Sequence, residues 1–320
     1  QASAALASAR AAGALSVRWA GAALNDDAYS RLRMEQELRH AIAAGELELH
    51  YQPQIELRSG RPLGAEALAR WRHPTRGMIP PDKFVPVAEE CGLVEALGRF
   101  VLETAARQAA AWAGLGFHLR VAVNVSAIQL RNPSFAQTAL DILREADCDP
   151  ALIELEITES AAMADPDHAA RQLAPLRAVG VRIAIDDFGT GYSNLASLTR
   201  LPFDVIKIDR GFVRDALEHP NARMVVAAVL GLAANLGVET VAEGVETEEQ
   251  LAFVTAHGCT FGQGYLFSRP VPAESLLTWR RNQLVAELRR MAGAGAARPA
   301  ANAALEALAR LASRERALPA

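Results

Sequence analysis

Apolar residues along this chain follow two alternating patterns, one typical of strands and one typical of helices. Between most of the strand-like runs lie amphipathic segments long enough for helices, over residues 97–113, 165–179, 221–236 and 247–257. Each parallel strand pair needs a crossover connection, so strands that alternate with helices predict an α/β fold with a parallel sheet. The eight strand-like runs are, in order, LELHYQP, LGAEALARW, LRVAVNV, LIELEIT, VRIAID, FDVIKID, VETVAEG and CTFGQGY.

Eight runs are the number of strands in a closed TIM-like (β/α)8 barrel, which is the predicted fold. An open doubly wound sheet shows the same alternation, so the pattern alone leaves that architecture open as well. A further helix is predicted ahead of the first strand, beginning near Asp27 and ending at Gly45. Asp26 or Asp27 would cap its first turn, and the glycine would end its last turn.

Both ends of the chain differ from this middle part. Residues 1–24 are dense in alanine, which favours a helix. After Met291, the run GAGAARPAANAA is typical of a linker, and one short amphipathic helix follows it. The chain therefore divides into residues 1–26, a helical remnant or linker; residues 27–290, the barrel; and residues 291–320, an alanine-rich linker with a short C-terminal helix.

Composition narrows the class of protein. An apolar fraction of 51% supports a large core and excludes disordered, collagen-like and disulfide-scaffold chains. A net charge of −4 gives no general attraction to nucleic-acid polymers or to membrane lipid. Three separated cysteines without a CxxC pair indicate a reducing compartment, and no segment resembles a signal peptide or spans a bilayer. We expect a cytoplasmic location, which a membrane tether elsewhere in the full-length protein would not contradict.

Polar residues at the ends of the predicted strands carry the candidate chemistry. The carboxyl ends of barrel strands converge on one face, so these side chains are expected to meet in one mouth. Any one acid alone could instead cap a helix, form a salt bridge or lie solvated at the rim. The set comprises Glu66, Asn124, Glu156, Asp186, Asp187, Lys207, Asp209 and Glu243.

The residue types in this set indicate a metal site. Converging carboxylates repel one another and need cations to stay ionised. Only carboxylate and amide oxygens are available, without histidine or cysteine at metal spacing, so Mg²⁺ or Mn²⁺ fits better than Zn²⁺. Two such ions about 3.5–4 Å apart form a clamp for in-line attack on a phosphodiester. Sequences of the types GxxxxGK[ST], HExxH and GxSxG are absent, which excludes P-loop, zincin and serine-hydrolase chemistry.

A series of longer motifs runs in order from Tyr51 to Pro270. It comprises YQPQIEL, EALARWRHP, MIPPDKFVPVAEE, VNVSAIQL, ELEITES, IAIDDFGTGYSNL, LPFDVIKID, VAEGVET and GQGYLFSRP. The string that begins at Glu66 carries the Glu-Ala-Leu signature for which the EAL family of cyclic di-GMP phosphodiesterases is named. The chain resembles this family over the whole barrel segment.

The resemblance implies a TIM-like barrel whose first strand is antiparallel to the others. It implies hydrolysis of cyclic di-GMP to linear pGpG, which lowers the level of a bacterial signalling messenger, with two Mg²⁺ or Mn²⁺ ions. Calcium is expected to inhibit, because it prefers more ligands and longer bonds. One ion would be held by Glu66, Asn124, Glu156 and Asp186, and the second by Asp186, Asp187 and Glu243.

Other positions take their expected roles from the same resemblance. Lys207 corresponds to the lysine that holds the attacking water, and Asp209 to its supporting partner. Glu159 corresponds to the glutamate that anchors the glycine-bearing loop after Asp187. The substrate-binding set is Gln52, Leu68, Arg70 and Gln263, in which Leu68 packs beside the site and the others contact phosphates or guanine bases.

The resemblance also implies partners. A homodimer is expected, with residues 193–199 in its interface. At the N-terminus, ASAALASARAAGA resembles the last helix of a GGDEF diguanylate cyclase domain, which implies an upstream sensory or GGDEF domain in the full-length chain.

Two alternatives to an active phosphodiesterase each account for part of the same residue pattern. A catalytically silent cyclic di-GMP receptor would share the fold and the ligand, although no metal ligand and no site lysine is missing here. An unrelated metal-dependent barrel lyase or aldolase would explain the acids but not the series of motifs.

Overall fold

The structure of the protein is a computed structural model that describes residues 22–189, 198 and 200–280. The predicted segments at residues 1–21 and 291–320 lie outside these residues, as does the helix at residues 193–199 apart from Leu198. The chain divides into two compact units. The smaller falls within Gln1–Glu48 and Arg70–Leu97, and the larger within Leu49–Ala69 and Gly98–Ala320.

Strands and helices alternate along the chain as the apolar pattern predicts. The strands are β1 (Leu47–Glu56), β2 (Arg61–His73), β3 (Gly77–Ile79), β4 (Arg120–Val125), β5 (Ile153–Thr158), β6 (Arg182–Phe188), β7 (Val205–Ile208), β8 (Glu239–Ala242), β9 (Phe261–Gly262) and β10 (Val271–Pro272). The helices are α1 (Ala22–Ala44), α2 (Pro81–Glu90), α3 (Val94–Gly114), α4 (Ala127–Arg131), α5 (Phe135–Glu145), α6 (Glu159–Ala164), α7 (Pro166–Ala178), α8 (Arg210–Asp215), α9 (Pro220–Leu236) and α10 (Glu248–Ala256). Within the described part of the chain, no helix is both long and apolar enough to cross a membrane.

The predicted start of the first helix is wrong. Helix α1 already includes Ala22, so Asp26 and Asp27 lie inside the helix rather than at its cap. The predicted end is confirmed, because Gly45 follows the last helical residue with a φ of +73°. Glycine adopts this left-handed conformation without steric cost and therefore ends the helix.

The smaller unit has a core built around an aromatic ring. The indole of Trp71 is fully buried, and its Nε1–H donates to Oε2 of Glu46 at 3.1 Å. The ring of Phe84 meets it edge-on, with 5.9 Å between the ring centroids. In this unit the end of β2 pairs with β3 antiparallel, and Trp71 lies opposite Ile79.

The larger unit contains the closed barrel. Its strands follow the order β1-β9-β8-β7-β6-β5-β4-β2, and a further pairing of β1 with β2 closes the ring. From β2 through β4 to β9 the neighbours are parallel, whereas β1 is antiparallel to β9. The structure confirms the TIM-like barrel with an antiparallel first strand, and the open doubly wound sheet is excluded.

Side chains fill the barrel in layers, as in other barrels of this type. The central layer includes a buried apolar cluster of Ala184, Val205, Val241 and Phe261. Below it, at the amino ends of the strands, Arg182 bonds Glu154 at 3.3 Å and pairs with Glu239. Above it, at the carboxyl ends, alternate residues of the same strands point into the mouth of the barrel.

Candidate active site

The mouth of the barrel holds a cavity of about 410 Å³. It lies at the carboxyl ends of the parallel strands, where barrel enzymes place their chemistry. Six of the thirteen described residues around it are acids. The residues around it are Gln52, Glu66, Leu68, Asp186, Asp187, Asp209, Arg210, Glu243, Gly244, Glu246, Gln263, Gly264 and Tyr265.

Lys207 lies at the centre of the acidic residues. Its side chain projects from β7 with no exposed surface. Its ammonium lies 2.7 Å from both Glu156 and Glu243, 3.3 Å from Asp186 and 3.9 Å from Glu66. Four carboxylates that lie on, or directly after, four different strands therefore surround one cation.

The charge of Lys207 follows from these contacts. Burial alone would lower the pKa of a lysine, because it disfavours the charged form. The surrounding carboxylates, with Asp186 and Glu156 foremost, outweigh burial and hold the pKa of Lys207 well above its usual range. The ammonium is therefore held in its charged form at neutral pH, in which it can donate hydrogen bonds.

One lysine does not neutralise the carboxylates around it. Burial and the neighbouring Glu66 raise the pKa of Glu156 well above its ordinary value. Burial raises the pKa of Glu243 to about 8. Glu66 behaves differently, because Lys207 and hydrogen bonds from Gln263 and Asn124 lower its pKa despite the opposing effect of burial. The site therefore carries more acid groups than can all ionise without further positive charge.

Two consecutive aspartates reach the cavity because the strand that carries them is irregular. Successive residues of a regular strand point to opposite faces. Between Ile185 and Phe188 the register of β6 against β7 shifts, and Asp187 adopts a φ of +54°. Aspartate tolerates this left-handed conformation better than most residues. As a result, Asp186 and Asp187 both line the cavity.

A chain of hydrogen bonds orients Glu66, the glutamate of the Glu-Ala-Leu signature. Its two oxygens accept from Asn124 Nδ2 at 2.7 Å and from Gln263 Nε2 at 2.6 Å. The amide of Gln263 also donates to Oε1 of Gln52 at 3.1 Å, and Gln52 donates to the backbone carbonyl of Ser268 at 3.0 Å. Glu66 is thus held by β4 on one side and by the segment that follows β9 on the other.

The oxygen atoms present fit hard divalent cations. Asp186, Asp187 and Glu243 each offer a ligand atom, and these atoms lie within 4.8 Å of one another. Oε1 of Glu156 is buried and has no hydrogen-bond partner. A buried acceptor without a donor is unfavourable, and a cation would satisfy it. Carboxylate and amide oxygens are the ligands that Mg²⁺ and Mn²⁺ prefer.

Glu159 connects the site to the loop that follows β6. It is the first residue of α6, its side chain is buried, and its Oε2 accepts the backbone N–H of Gly189 at 2.9 Å. Gly189 has a φ of +96°, and an added Cβ would lie 3.2 Å from the ring of Phe212. The bond fixes the backbone two residues after Asp187.

Two further candidates of the sequence analysis are Asp209 and Arg70. Asp209 lines the cavity, but its side chain caps α8 by accepting from the Gly211 N–H at 2.9 Å. Arg70 is half-buried on β2, in the smaller unit, and Leu68 precedes it in the cavity wall.

Three lining residues with polar side chains were missed by the sequence reasoning. Arg210 and Glu246 are exposed charged residues of the wall, and Tyr265 is 51% exposed with the guanidinium of Arg269 4.1 Å from its ring centroid. The pattern of polar residues at strand ends does not include them, since they follow the strand ends by two or more residues. The signal for Arg210 was its position directly after Asp209.

Comparison with known proteins identifies the fold and its relatives. The family model for the EAL domain matches residues 35–270. MucR of Pseudomonas aeruginosa, named a bifunctional diguanylate cyclase and cyclic di-GMP phosphodiesterase, is 42% identical over 255 residues, which are 79% of this chain and 37% of MucR. NbdA of the same organism, named a cyclic di-GMP phosphodiesterase, is 44% identical over 250 residues, 78% of this chain and 32% of NbdA. The chain thus spans about a third of the length of these curated relatives.

Solved structures match the fold as well. The structure of the PaMucR phosphodiesterase in complex with c-di-GMP has a TM-score of 0.74 and 42% identity, covering 76% of this chain and 99% of that chain. The EAL enzyme Bd1971 in its cGMP-bound form has a TM-score of 0.76 and 31% identity, covering 80% of this chain and 71% of that chain.

Proposed function

Because the chain belongs to the EAL domain family, we propose that it is a metal-dependent phosphodiesterase that hydrolyses cyclic di-GMP to linear pGpG in the cytoplasm. Water adds to phosphorus and one P–O bond breaks, which leaves a 5′-phosphate and a 3′-hydroxyl. Two relatives of 42% and 44% identity are named for cyclic di-GMP phosphodiesterase activity. The observation that carries the proposal is the buried ammonium of Lys207 among four carboxylates from four different strands and the residues directly after them.

The acidic residues are the proposed metal ligands. One Mg²⁺ or Mn²⁺ ion would be held by Glu66, Asn124, Glu156 and Asp186, and the other by Asp186, Asp187 and Glu243. Bound there, the ions would neutralise the excess negative charge, polarise the phosphodiester and lower the pKa of the attacking water. The partnerless Oε1 of Glu156 and the three ligand atoms within 4.8 Å support this assignment.

Lys207 and its neighbours would position the reactants. An ammonium that stays protonated at neutral pH is a poor base, so Lys207 would hold the attacking water by donating a hydrogen bond to it. Asp209 would support this arrangement from the start of α8, where its side chain accepts the Gly211 N–H. Glu159 would keep Asp187 in place through the loop.

The remaining candidates are proposed to hold the substrate. Gln52 and Gln263 line the cavity in one hydrogen-bonded chain with Glu66, so a ligand that contacts them is also fixed relative to the metal ligands. Leu68 would supply apolar contact beside them. Arg70 would add a charge that suits a phosphodiester, because its planar fork can make paired hydrogen bonds.

The wider organisation is also a proposal. Residues 27–290 would act as one catalytic module, residues 1–26 would link it to an upstream sensory or GGDEF domain, and residues 291–320 would be a C-terminal appendage. The bifunctional name of MucR supports the link. We propose a homodimer with residues 193–199 in the interface, which sedimentation at micromolar concentration would test.

Incubation of the chain with cyclic di-GMP and Mg²⁺ or Mn²⁺ tests the proposed reaction. Separation of products by chromatography should show pGpG from the wild type and none from Glu66→Ala. Glu248→Gln, which removes an exposed acid from the first turn of α10, serves as the control and should retain turnover. Cyclic di-GMP bound without pGpG would instead identify a silent receptor.

A further inference from the structure

One basic residue stands apart in the acidic wall of the cavity. Among the described residues that line it, six are acids, and Arg210 is the single cation. Lys207 lies beneath the wall, fully buried among its own carboxylates. A phosphate-containing ligand that enters this cavity therefore meets a field that repels it, except at bound cations and at Arg210.

The position of Arg210 is set by a glycine in the facing loop. Arg210 is the first residue of α8 and directly follows Asp209. A Cβ added to Gly244 would lie 2.5 Å from Cβ of Arg210, and Gly244 has a φ of +65°. The backbone after Glu243 can therefore approach the arginine only because residue 244 has no side chain. This close approach places the stem of Arg210 beside Gly244, the residue that follows Glu243.

The guanidinium itself is available to a ligand. Arg210 is exposed, and it forms no hydrogen bond or ion pair with any side chain in the described part of the protein. It is nevertheless close enough to the aspartate pair for its charge to matter: burial and Asp186 raise the pKa of Asp187, and Arg210 opposes them. Within the described residues its planar group of N–H donors therefore has no side-chain partner, is exposed to solvent and lies near the proposed metal ligand Asp187.

We propose that Arg210 contacts the phosphate on which the reaction takes place, as a phosphodiester before hydrolysis and as the terminal 5′-phosphate of the linear product afterwards. This assignment rests on the proposed function. A guanidinium forms two parallel hydrogen bonds with phosphate oxygens, which an ammonium cannot do. The product phosphate carries more negative charge than the diester, so Arg210 binds the product end more strongly than the substrate.

Binding of two linear dinucleotides tests the contact directly. Isothermal titration of the wild type with Mg²⁺ present should show that pGpG binds roughly 10- to 100-fold more tightly than GpG, which lacks the terminal phosphate. Arg210→Gln should reduce this preference by about tenfold while leaving the affinity for GpG within about twofold, since GpG lacks the terminal phosphate that Arg210 contacts. Arg210→Lys should keep only part of the preference.

A control on the same helix separates this effect from a change in net charge. Arg214→Gln removes an exposed arginine that bonds Asp215 instead of lining the cavity, and it should keep the full preference for pGpG. Three results would overturn the proposal. They are an unchanged preference for pGpG in Arg210→Gln, equal affinity of the wild type for pGpG and GpG, and an equal loss of affinity for both dinucleotides in Arg210→Gln. If the wild type does not hydrolyse cyclic di-GMP yet shows an Arg210-dependent preference for pGpG, the proposed function fails and the phosphate contact stands.

Discussion

Nζ of Lys207 lies 2.7 Å from Oε2 of Glu156, and neither side chain has any exposed surface. Removal of one member of a buried ion pair leaves the other charge without compensation. Lys207→Met should therefore destabilise the metal-free protein by about 3–5 kcal/mol in urea denaturation, and hydrolysis of cyclic di-GMP should fall by at least ~100-fold through loss of the water-holding group.

The chain provides its own control for this substitution. It contains two lysines, and the other, Lys83, is exposed with its nearest carboxylate 4.0 Å away on Asp82. Lys83→Met should change stability by less than about 0.5 kcal/mol and leave turnover unchanged. Equal effects of the two substitutions would argue against a special role for Lys207.

The backbone of Asp187 predicts different results for its two simplest replacements. Asparagine tolerates a positive φ, whereas alanine is strained there by about 1 kcal/mol. Asp187→Asn should retain wild-type thermal stability without metal, and Asp187→Ala should be less stable. Both should lose turnover, because neither supplies a carboxylate. Greater stability of the alanine variant would contradict the strain argument.

The bond from Gly189 to Glu159 predicts a graded effect on activity. Glu159→Ala leaves the Gly189 N–H without its acceptor, so turnover should fall roughly tenfold while stability falls by only about 1 kcal/mol. Glu159→Gln keeps an acceptor oxygen and should stay near the wild type. Hydrogen exchange at Gly189 gives an independent readout, since only the alanine variant should accelerate it. Normal exchange in that variant would disprove the anchor.

Metal removal should abolish hydrolysis. Excess chelator should stop pGpG formation, and Mg²⁺ or Mn²⁺ should restore it. Ca²⁺ should compete and inhibit, because its bonds of roughly 2.3–2.6 Å exceed the ~2.0–2.1 Å of Mg²⁺ and would misplace the water. The melting temperature should rise with Mg²⁺, Mn²⁺ and Ca²⁺ alike, because all three bind. This measurement therefore reports metal binding separately from hydrolysis. Full turnover in chelator would exclude the metal mechanism.

A substitution at the amino ends of the barrel strands, opposite the candidate site, should change stability and not the rate of hydrolysis. Arg182 pairs with Glu239 and bonds Glu154, whose side chain is 3% exposed. Arg182→Met should cost about 3 kcal/mol in urea denaturation because Glu154 stays buried without its closest partner. Turnover per folded molecule should be unchanged. The exposed Arg171 gives a matched control, and Arg171→Met should leave stability unaltered. A loss of turnover in correctly folded Arg182→Met would contradict this prediction, because it would show that the amino end of the barrel affects the candidate site.

The sequence predicted most of this architecture because apolar residues repeat with one period in barrel strands and with another in crossover helices. The acids at the strand ends could be found in the same way, since position along a strand determines which end of the barrel a side chain occupies. The antiparallel direction of β1 came from family resemblance, as alternation contains no information on strand direction. The irregularity at Asp187 was not predicted, because a register shift depends on the neighbouring strand β7.

Arg210 was missed for a related reason. Its role depends on Gly244, which lies 34 positions later in the chain and whose missing side chain makes the close approach possible. No local pattern connects the two residues. The early start of α1 was missed because Asp26 and Asp27 are typical of a helix cap, although they lie inside the helix here.

Because the chain contains only two lysines, chemical labelling of the buried Lys207 can report when the site opens. Of the two lysines, Lys83 is open to solvent and Lys207 is buried. An amine-acylating reagent should therefore label Lys83 at once, and Lys207 only when the barrel mouth opens and water separates the amine from its carboxylates, so that it can lose its proton. The ratio of the two labels, read by mass spectrometry after digestion, compares both sites in one sample. It would follow, without any substitution, how often the barrel mouth opens in solution.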